Sequence, residues 1–224
     1  MIITFFFLLG LDYLKAQEGY PEKKVTIIHE EGRGVVMKNQ TCFDVTIFVN
    51  QNDYHILSKG EKDLSAKSWS EWNWLPGSKG SMTEKEVLSP LLNENKVSSG
   101  PGEGIHKNEK YYGYDFSVPL GTPVRAMMSG RVVRVVEHFA EAHQDEKRLD
   151  QVNRVEILHD DGSLASYAHL NTQSVSVNVC DQIQSGHVFA QTGHNGYSSG
   201  PHLHVEILRP AGSGKMQTIP LKFK

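Results

Sequence analysis

Two histidines near the C-terminus, His202 and His204, have the spacing that most directly suggests chemistry. Residues two apart in a β-strand point to the same face, so a strand over residues 201–208 places both imidazoles and Glu206 on one side. The residues between them are aliphatic and are expected to face a core. At about 7 Å apart along such a strand, one histidine can bind a metal ion while the other reaches a water on that ion. On this motif alone, an exposed edge strand with incidental histidines is an equal alternative.

Two other alternating segments each supply a polar residue of a type that zinc sites use. In residues 111–118 apolar side chains alternate with mostly small or polar ones, and Asp115 lies on the polar side. In residues 164–169 His169 shares a face with Tyr167. A hydrolytic zinc site keeps three protein ligands and one open position, and the metal lowers the pKa of water to about 7. Because neighbouring histidines can transfer protons, the three segments together predict zinc-dependent hydrolysis.

A serine hydrolase is the first alternative, because residues 196–200 match the pattern G-x-S-x-G. That nucleophile turn requires a helix after the serine, followed by an acid and then a histidine. Here Pro201 and a predicted strand follow, and no Asp lies downstream of Ser198. We therefore interpret these residues as a tight turn that sets the angle of the His-x-His strand.

The segments that position these residues are predicted to be strands throughout. Short runs rich in β-branched residues are separated by turn residues, and no stretch shows a convincing helical period. We therefore predict an all-β protein with a small β-rich N-terminal domain over residues 17–75. A linker rich in Ser, Gly, Pro and Lys follows over 76–100, and an antiparallel β domain over 101–224. Within that domain, the charged segment 137–151 is expected to be a solvated hairpin loop.

Residues 1–16 are predicted to be a secretory signal peptide. An apolar run over residues 2–11 is too short to span a bilayer as a helix, and Leu14 and Ala16 stand at the −3 and −1 positions of a cleavage site. A buried N-terminal strand or helix is the alternative, since the first residues carry no Lys or Arg. No later stretch is apolar enough to cross a membrane. We expect a soluble mature protein without a transmembrane segment, exported to the periplasm or the extracellular space.

Composition narrows the remaining function classes. The 224 residues carry a formal net charge of −3, which gives no electrostatic reason to expect nucleic-acid binding. Two cysteines, Cys42 and Cys180, are too few for a disulfide scaffold, a Cys-rich zinc site or an iron–sulfur cluster. A bridge between them stays open as an alternative, but we expect two unpaired thiols.

From about residue 106 to residue 208 the chain resembles the M23 (lysostaphin/LytM-type) zinc metallopeptidases, which cut peptide cross-links in bacterial cell walls. The resemblance is carried by YDF at 114–116, PLGTPV at 119–124, GRV at 130–132, YAHL at 167–170 and, most specifically, GHNGYSSGPHLHVE at 193–206. It implies an antiparallel LytM/lysostaphin-like fold for this domain and a peptidoglycan peptide as substrate. It also implies that Asp115 and His204 bind Zn²⁺ and that His169 and His202 assist catalysis. We expect Tyr167 to line the cleft, with a packing role as the alternative.

One position departs from the family's usual pattern. The first zinc ligand is commonly a histidine four residues before the aspartate, and here that position is Tyr111. We predict that His106, nine residues before Asp115, supplies the third ligand instead. The alternative is a catalytically inactive M23-like domain that binds the cell wall or regulates other wall hydrolases. Tyr111 favours that alternative, whereas the presence of the other four site residues argues against it.

Overall fold

The computed structural model is built almost entirely from β-strands, so the all-β prediction is confirmed. The structure describes residues 25–30, 34–49, 52–56, 58–64, 72–92, 97–103, 111–212 and 215–224. The predicted signal peptide at residues 1–16 and the predicted ligand His106 lie outside these residues. Within the described ranges the one helical element is a short 3-10 turn, Glu146–Arg148.

Six strands form the N-terminal part of the molecule, in the region where the β-branched runs predict them. They are β1 (Val25–Glu30), β2 (Gly34–Asn39), β3 (Val45–Val49), β4 (Asn52–Ile56), β5 (Glu61–Leu64) and β6 (Trp72–Pro76). They pair as two antiparallel three-stranded sheets, with the orders β1-β2-β5 and β4-β3-β6.

The rest of the chain adds thirteen strands in the described residues. They are β7 (Lys85–Val87), β8 (Gly113–Ser117), β9 (Pro123–Arg125), β10 (Gly130–Val136), β11 (Ala142–His143), β12 (Arg154–Leu158), β13 (Leu164–Ala168), β14 (Gln182–Ile183), β15 (Val188–Gln191), β16 (Gly196–Tyr197), β17 (His202–Gly212), β18 (Lys215–Ile219) and β19 (Leu221–Phe223). Seven of them form one antiparallel sheet in the order β14-β10-β12-β13-β17-β18, with β8 pairing the first half of β17.

The alternation of apolar and polar side chains along β17 determines which residues lie on each face of this sheet. Leu203, Val205 and Ile207 have no exposed surface and lie in one hydrophobic cluster with Tyr114 and Phe116 of β8. The alternate residues of both strands therefore lie on the opposite, polar face, which confirms the predicted face assignments. This packing places the candidate site residues of β8 and β17 side by side.

A second hydrophobic cluster joins the N-terminal strands to the large sheet. Phe43, Val45 and neighbouring apolar residues of the N-terminal part pack against Val133, Leu158 and Leu164. A disulfide between Cys42 and Cys180 spans the same two regions, with a Cα–Cα distance of 5.9 Å. The expectation of two unpaired thiols is therefore wrong, because the fold brings together cysteines that are 138 residues apart.

Parts of two segments predicted as irregular are ordered by pairing. Within residues 76–100, β7 pairs with β19 in parallel, and Leu91 is fully buried in the core of the large sheet. Within residues 137–151, β11 pairs in parallel with β16. The segment 137–151 connects the antiparallel strands β10 and β12 and is largely exposed, as predicted, and β11 also attaches it to the loop that precedes β17. No helix in the described part of the chain has the length and apolar character needed to cross a membrane.

Candidate active site

The centre of the candidate site is the pairing of β8 with β17. In this antiparallel register Asp115 lies directly opposite His204. Nδ1 of His204 is 2.8 Å from Oδ1 of Asp115, so the carboxylate and the imidazole predicted as zinc ligands are in direct contact. On the outer side of β8, Ser98 and Ser99 form backbone hydrogen bonds with Asp115. These bonds fix the strand from which the carboxylate projects.

The two histidines predicted to assist catalysis lie beside each other. The ring centroids of His169 and His202 are 4.2 Å apart, and those of His169 and His204 are 6.4 Å apart, edge to face. His169 directly follows β13 and has a φ of +61°, a left-handed conformation that non-glycine residues rarely adopt. This turn brings the imidazole to the polar face, although strand alternation alone places it on the core face with Tyr167.

Tyr167 is not part of this cleft, and the prediction that it lines the substrate site is wrong. Its side chain has no exposed surface, and its hydroxyl accepts a hydrogen bond from the backbone N–H of Met127 at 2.7 Å. Its ring packs edge to face against Phe189. Tyr167 stands opposite Val205 in the sheet, so both side chains face the core, as alternation requires.

A buried network of two asparagines holds His169. Nδ1–H of His169 donates to the backbone carbonyl of Asn195 at 2.7 Å. The side chain of Asn195 accepts from the backbone N–H of Asn153 at 2.8 Å and donates to the carbonyl of Leu170 at 2.6 Å. Burial, assisted by the charge of nearby His202, lowers the pKa of His169 to about 3. The ring is therefore neutral, with its proton on Nδ1 and with Nε2 able to accept one.

His202 is anchored by the loop that precedes it. Its Nδ1 lies 2.9 Å from the backbone carbonyl of Gly200 and 3.3 Å from Oγ of Ser198. The Ser198 hydroxyl itself donates to the Gly200 carbonyl at 2.8 Å. Ser198 therefore supports the turn that leads into β17. This arrangement agrees with the interpretation of the G-x-S-x-G match as a turn rather than a nucleophile site.

The second ring nitrogen of His204 faces a tyrosine and another carboxylate. Nε2 lies 3.3 Å from the hydroxyl of Tyr111 and 4.0 Å from Oε2 of Glu206. Burial by itself lowers the pKa of His204, but the hydrogen bond to the Asp115 carboxylate and the nearby Glu206 carboxylate outweigh burial and raise the pKa to about 9. Tyr111 thus contacts the site from the position where the resemblance implies a ligand histidine.

Asp115 and His204 suit a zinc ion chemically. Carboxylate oxygens and imidazole nitrogens are common zinc ligands at about 2.0–2.2 Å, and donor atoms 2.8 Å apart can contact the same ion. The third predicted ligand, His106, lies outside the described residues. Among the residues that are described, no group of three or more His, Cys, Asp or Glu side chains is arranged to hold a metal.

The two asparagines that support His169 were not predicted from the sequence. Asn195 lies within the block 193–206 that carries the family resemblance, so its place in that block was an available signal. Asn153 gave no such signal, because its backbone contact with Asn195 spans 42 residues. Glu206 was placed on the correct face of β17, but its proximity to His204 and Tyr111 depends on the fold.

Comparison with known protein families covers the part of the chain that contains most of the candidate site residues. The family model for peptidase family M23 matches residues 109–217, a range that includes Asp115, His169, His202 and His204. This part of the chain belongs to peptidase family M23. The M23 domain therefore contains four of the five residues predicted to act on the metal and substrate. The fifth, His106, precedes the matched range.

The matches to individual relatives cover only part of each relative's length. The chain is 29% identical to glycyl-glycine endopeptidase ALE-1 of Staphylococcus capitis over 136 residues, or 59% of this chain and 34% of that protein. It is 30% identical to peptidoglycan DD-endopeptidase ShyA of Vibrio cholerae over 106 residues, or 46% of this chain and 22% of that protein. A solved structure of the antimicrobial peptidase lysostaphin from Staphylococcus simulans matches with 27% identity and a TM-score of 0.43, covering 58% of this chain and 49% of that one. The chain spans about a quarter to a third of the length of the first curated relatives it matches.

Proposed function

We propose that the M23 domain is a zinc-dependent metalloendopeptidase that hydrolyses peptide bonds in peptidoglycan stem peptides or cross-links. The observation that carries the proposal is the contact of the Asp115 and His204 donor atoms next to the paired rings of His169 and His202. A site with two potential ligands and two adjacent unliganded imidazoles has the parts that metal-assisted peptide hydrolysis requires.

In this proposal His106, Asp115 and His204 hold the metal. A bound zinc ion supplies Lewis-acid polarisation of the scissile carbonyl and lowers the pKa of water. The contact at 2.8 Å between Asp115 and His204 keeps two of these donors together before any ion binds. This arrangement reduces the rearrangement that binding requires.

His169 and His202 carry the proton transfers. Each has its Nδ1 at a backbone carbonyl, at 2.7 Å and 2.9 Å respectively, which leaves its Nε2 available to the substrate. Burial holds His169 neutral, and this state suits a base that takes a proton from the attacking water. In its doubly protonated form the less buried His202 keeps Nδ1–H on the Gly200 carbonyl and donates Nε2–H to the carbonyl oxygen on which charge develops. The departing amine receives the proton that the base has taken.

The proposed substrate and location have separate support. Two relatives are named as a glycyl-glycine endopeptidase and a peptidoglycan DD-endopeptidase, so both act on peptide bonds and one on peptidoglycan. The Cys42–Cys180 disulfide is typical of proteins in oxidising compartments. Together with the predicted signal peptide, the disulfide favours export to the periplasm or the extracellular space, where peptidoglycan is accessible.

A second candidate function is a catalytically inactive domain that binds the wall or regulates other wall hydrolases. Tyr111 favours it, because this residue contacts Nε2 of His204 from a usual ligand position. An inactive domain would bind peptidoglycan without releasing fragments, and removal of metal would not change that binding.

Digestion of purified peptidoglycan, followed by mass analysis of the soluble fragments, tests the proposal. We expect peptide cleavage by the wild-type protein, loss of cleavage with a chelator, and recovery when zinc is returned. His187→Ala is a matched control, because His187 is exposed in the turn before β15. Intact peptidoglycan after incubation with the zinc-supplied wild-type protein would contradict the proposed activity, and the fragment masses identify the bond that is cut.

A further inference from the structure

The segment 137–151 contacts the loop that leads to His202 at several consecutive residues. We propose that this segment positions the imidazole of His202 through Gln144, whose side chain holds the backbone of Ser198 beside that ring. Gln144 is therefore a positioning residue, which acts through Ser198 and not by contact with the reacting atoms. The catalytic consequence of this inference rests on the proposed function, because His202 is assigned there to the reaction.

The segment and the loop lie side by side as a short parallel pair. Ala142 stands opposite Gly196, and the N–H of Gly196 donates to the carbonyl of Glu141 at 2.9 Å. Gly196 has a φ of +69°, and a Cβ at this position would lie 2.8 Å from Cβ of Val152. The close approach therefore requires a glycine, and it brings the backbone of the segment directly against the backbone of the loop.

Both backbone groups of Ser198 are bonded to this segment. Its N–H donates to the carbonyl of His143 at 3.2 Å. Its carbonyl accepts from the side-chain amide of Gln144 at 2.8 Å. A residue that is held at its N–H and at its carbonyl has little freedom to shift or rotate. Residues 143 and 144 therefore determine where the Ser198 side chain lies.

Ser198 extends this constraint to His202. The Ser198 hydroxyl donates to the carbonyl of Gly200 at 2.8 Å and lies 3.3 Å from Nδ1 of His202. Nδ1 of His202 lies 2.9 Å from the same carbonyl, and it carries a proton because a carbonyl only accepts hydrogen bonds. The hydroxyl and the imidazole thus share one acceptor and contact each other. A displacement of Ser198 would therefore disturb both contacts that orient the His202 ring.

The exposure of Gln144 separates positioning from folding. Gln144 is exposed and belongs to neither hydrophobic cluster, and truncation of such a side chain usually has little effect on stability. A loss of rate in a Gln144 variant that stays folded would therefore report on the geometry of the loop. The rate is sensitive to this geometry, because a misplacement of about 1 Å can cost about 100-fold.

Initial rates on soluble cross-linked muropeptides, measured with the zinc-supplied full chain, test the proposal. We expect Gln144→Ala to lower kcat about 10-fold, less than a full misplacement costs, with KM, zinc content and Tm close to those of the wild type. Gln144→Glu should lower kcat in the same way, because a carboxylate of the same length cannot donate to the Ser198 carbonyl. Gln151→Ala is the matched control, because the Gln151 side chain bonds Arg148 within the same segment, at 2.7 Å.

NMR measures the His202 ring independently of activity. The ¹H–¹³C signals of this imidazole are assigned by comparison with His202→Ala. We expect these signals to shift or broaden in Gln144→Ala and Gln144→Glu, because the ring loses its fixed orientation. They should keep their wild-type positions in Gln151→Ala.

The outcomes distinguish this inference from the proposed function. If the wild type cleaves the muropeptides, either a wild-type kcat or unchanged His202 signals in the Gln144 variants overturns the inference and leaves the enzyme proposal standing. Equal losses of kcat in Gln151→Ala and Gln144→Ala also overturn it. A wild type that cleaves nothing, with His202 signals perturbed only in the Gln144 variants, removes the enzyme and supports the positioning contact. A wild type that cleaves nothing, with the same His202 signals in all variants, overturns both.

Discussion

Removing the Cys42–Cys180 disulfide should substantially lower the free energy of unfolding. The bridge closes a loop of 138 residues between the N-terminal strands and the turn before β14. For a loop of this length, the chain-entropy relation gives about 17 cal/mol/K, or about 5 kcal/mol at 25 °C. Because losses measured for native disulfides in small domains run from about 2 to 5 kcal/mol, we expect a value in that range.

The second hydrophobic cluster determines how the reduced protein should behave before it unfolds. Phe43, next to the bridge, packs in one cluster with Val133, Leu158 and Leu164 of the large sheet. These contacts do not require the bridge, so the N-terminal strands should stay packed when it is cut. The loss of stability should therefore appear as an earlier unfolding transition and not as a change in native secondary structure.

Urea unfolding, followed by tryptophan fluorescence and circular dichroism, measures the effect. The samples are the oxidised wild type, the wild type with dithiothreitol, and the double variant Cys42→Ser/Cys180→Ser. With slopes of about 2 kcal/mol/M, the expected loss moves the midpoint down by about 1–2.5 M. Identical midpoints for the oxidised wild type and the double variant would refute the reasoning. Two titratable thiols in unreduced, denatured wild type would show that the bridge is absent.

Two further substitutions test the site and its support, and a third tests a charged group outside the site. His169→Ala should abolish peptidoglycan cleavage while leaving zinc content intact, and undiminished activity would remove His169 from the mechanism. Asn195→Ala should cost about 2 kcal/mol of stability in urea unfolding, because it leaves the buried N–H of Asn153 without its acceptor. It should also lower kcat more than it changes KM, and an unchanged kcat would show that Asn195 does not hold His169 in its working position. Burial disfavours the charge on Asp161, but hydrogen bonds from Lys85 and Ser163 outweigh burial and hold its pKa well below the usual value. The wild type should therefore be more stable than Asp161→Asn at pH 7, and this difference should shrink as the pH falls below about 4, the range of an unfolded aspartate; a difference independent of pH would contradict this.

In a regular strand, successive side chains point to opposite faces of the sheet. This rule predicted the part of the site that lies within regular strands. It placed Asp115 and His204 on polar faces and Leu203 and Val205 in the core, because both strands are regular at these positions. It failed at His169, where a φ of +61° ends the strand and turns the side chain to the other face. The same alternation linked Tyr167 to His169 and so misplaced Tyr167 in the cleft.

Contacts between distant segments could not be derived from local patterns. The pairing of Cys42 with Cys180 needs a distance across 138 residues, which spacing in the sequence does not supply. The contact of Tyr111 with His204 spans 93 residues and depends on how the segment before β8 lies along β17. The sequence therefore pointed to the chemistry-bearing residues but not to the residues that hold them in place.

The zinc content of the purified full-length protein tests the central claim most directly. Metal analysis after exposure to zinc and removal of excess ion should give about one zinc per chain. His106→Ala should lose this zinc, and His169→Ala should retain it. A wild type that remains free of zinc, or a His106→Ala variant that keeps a full equivalent of zinc, would contradict the proposed site.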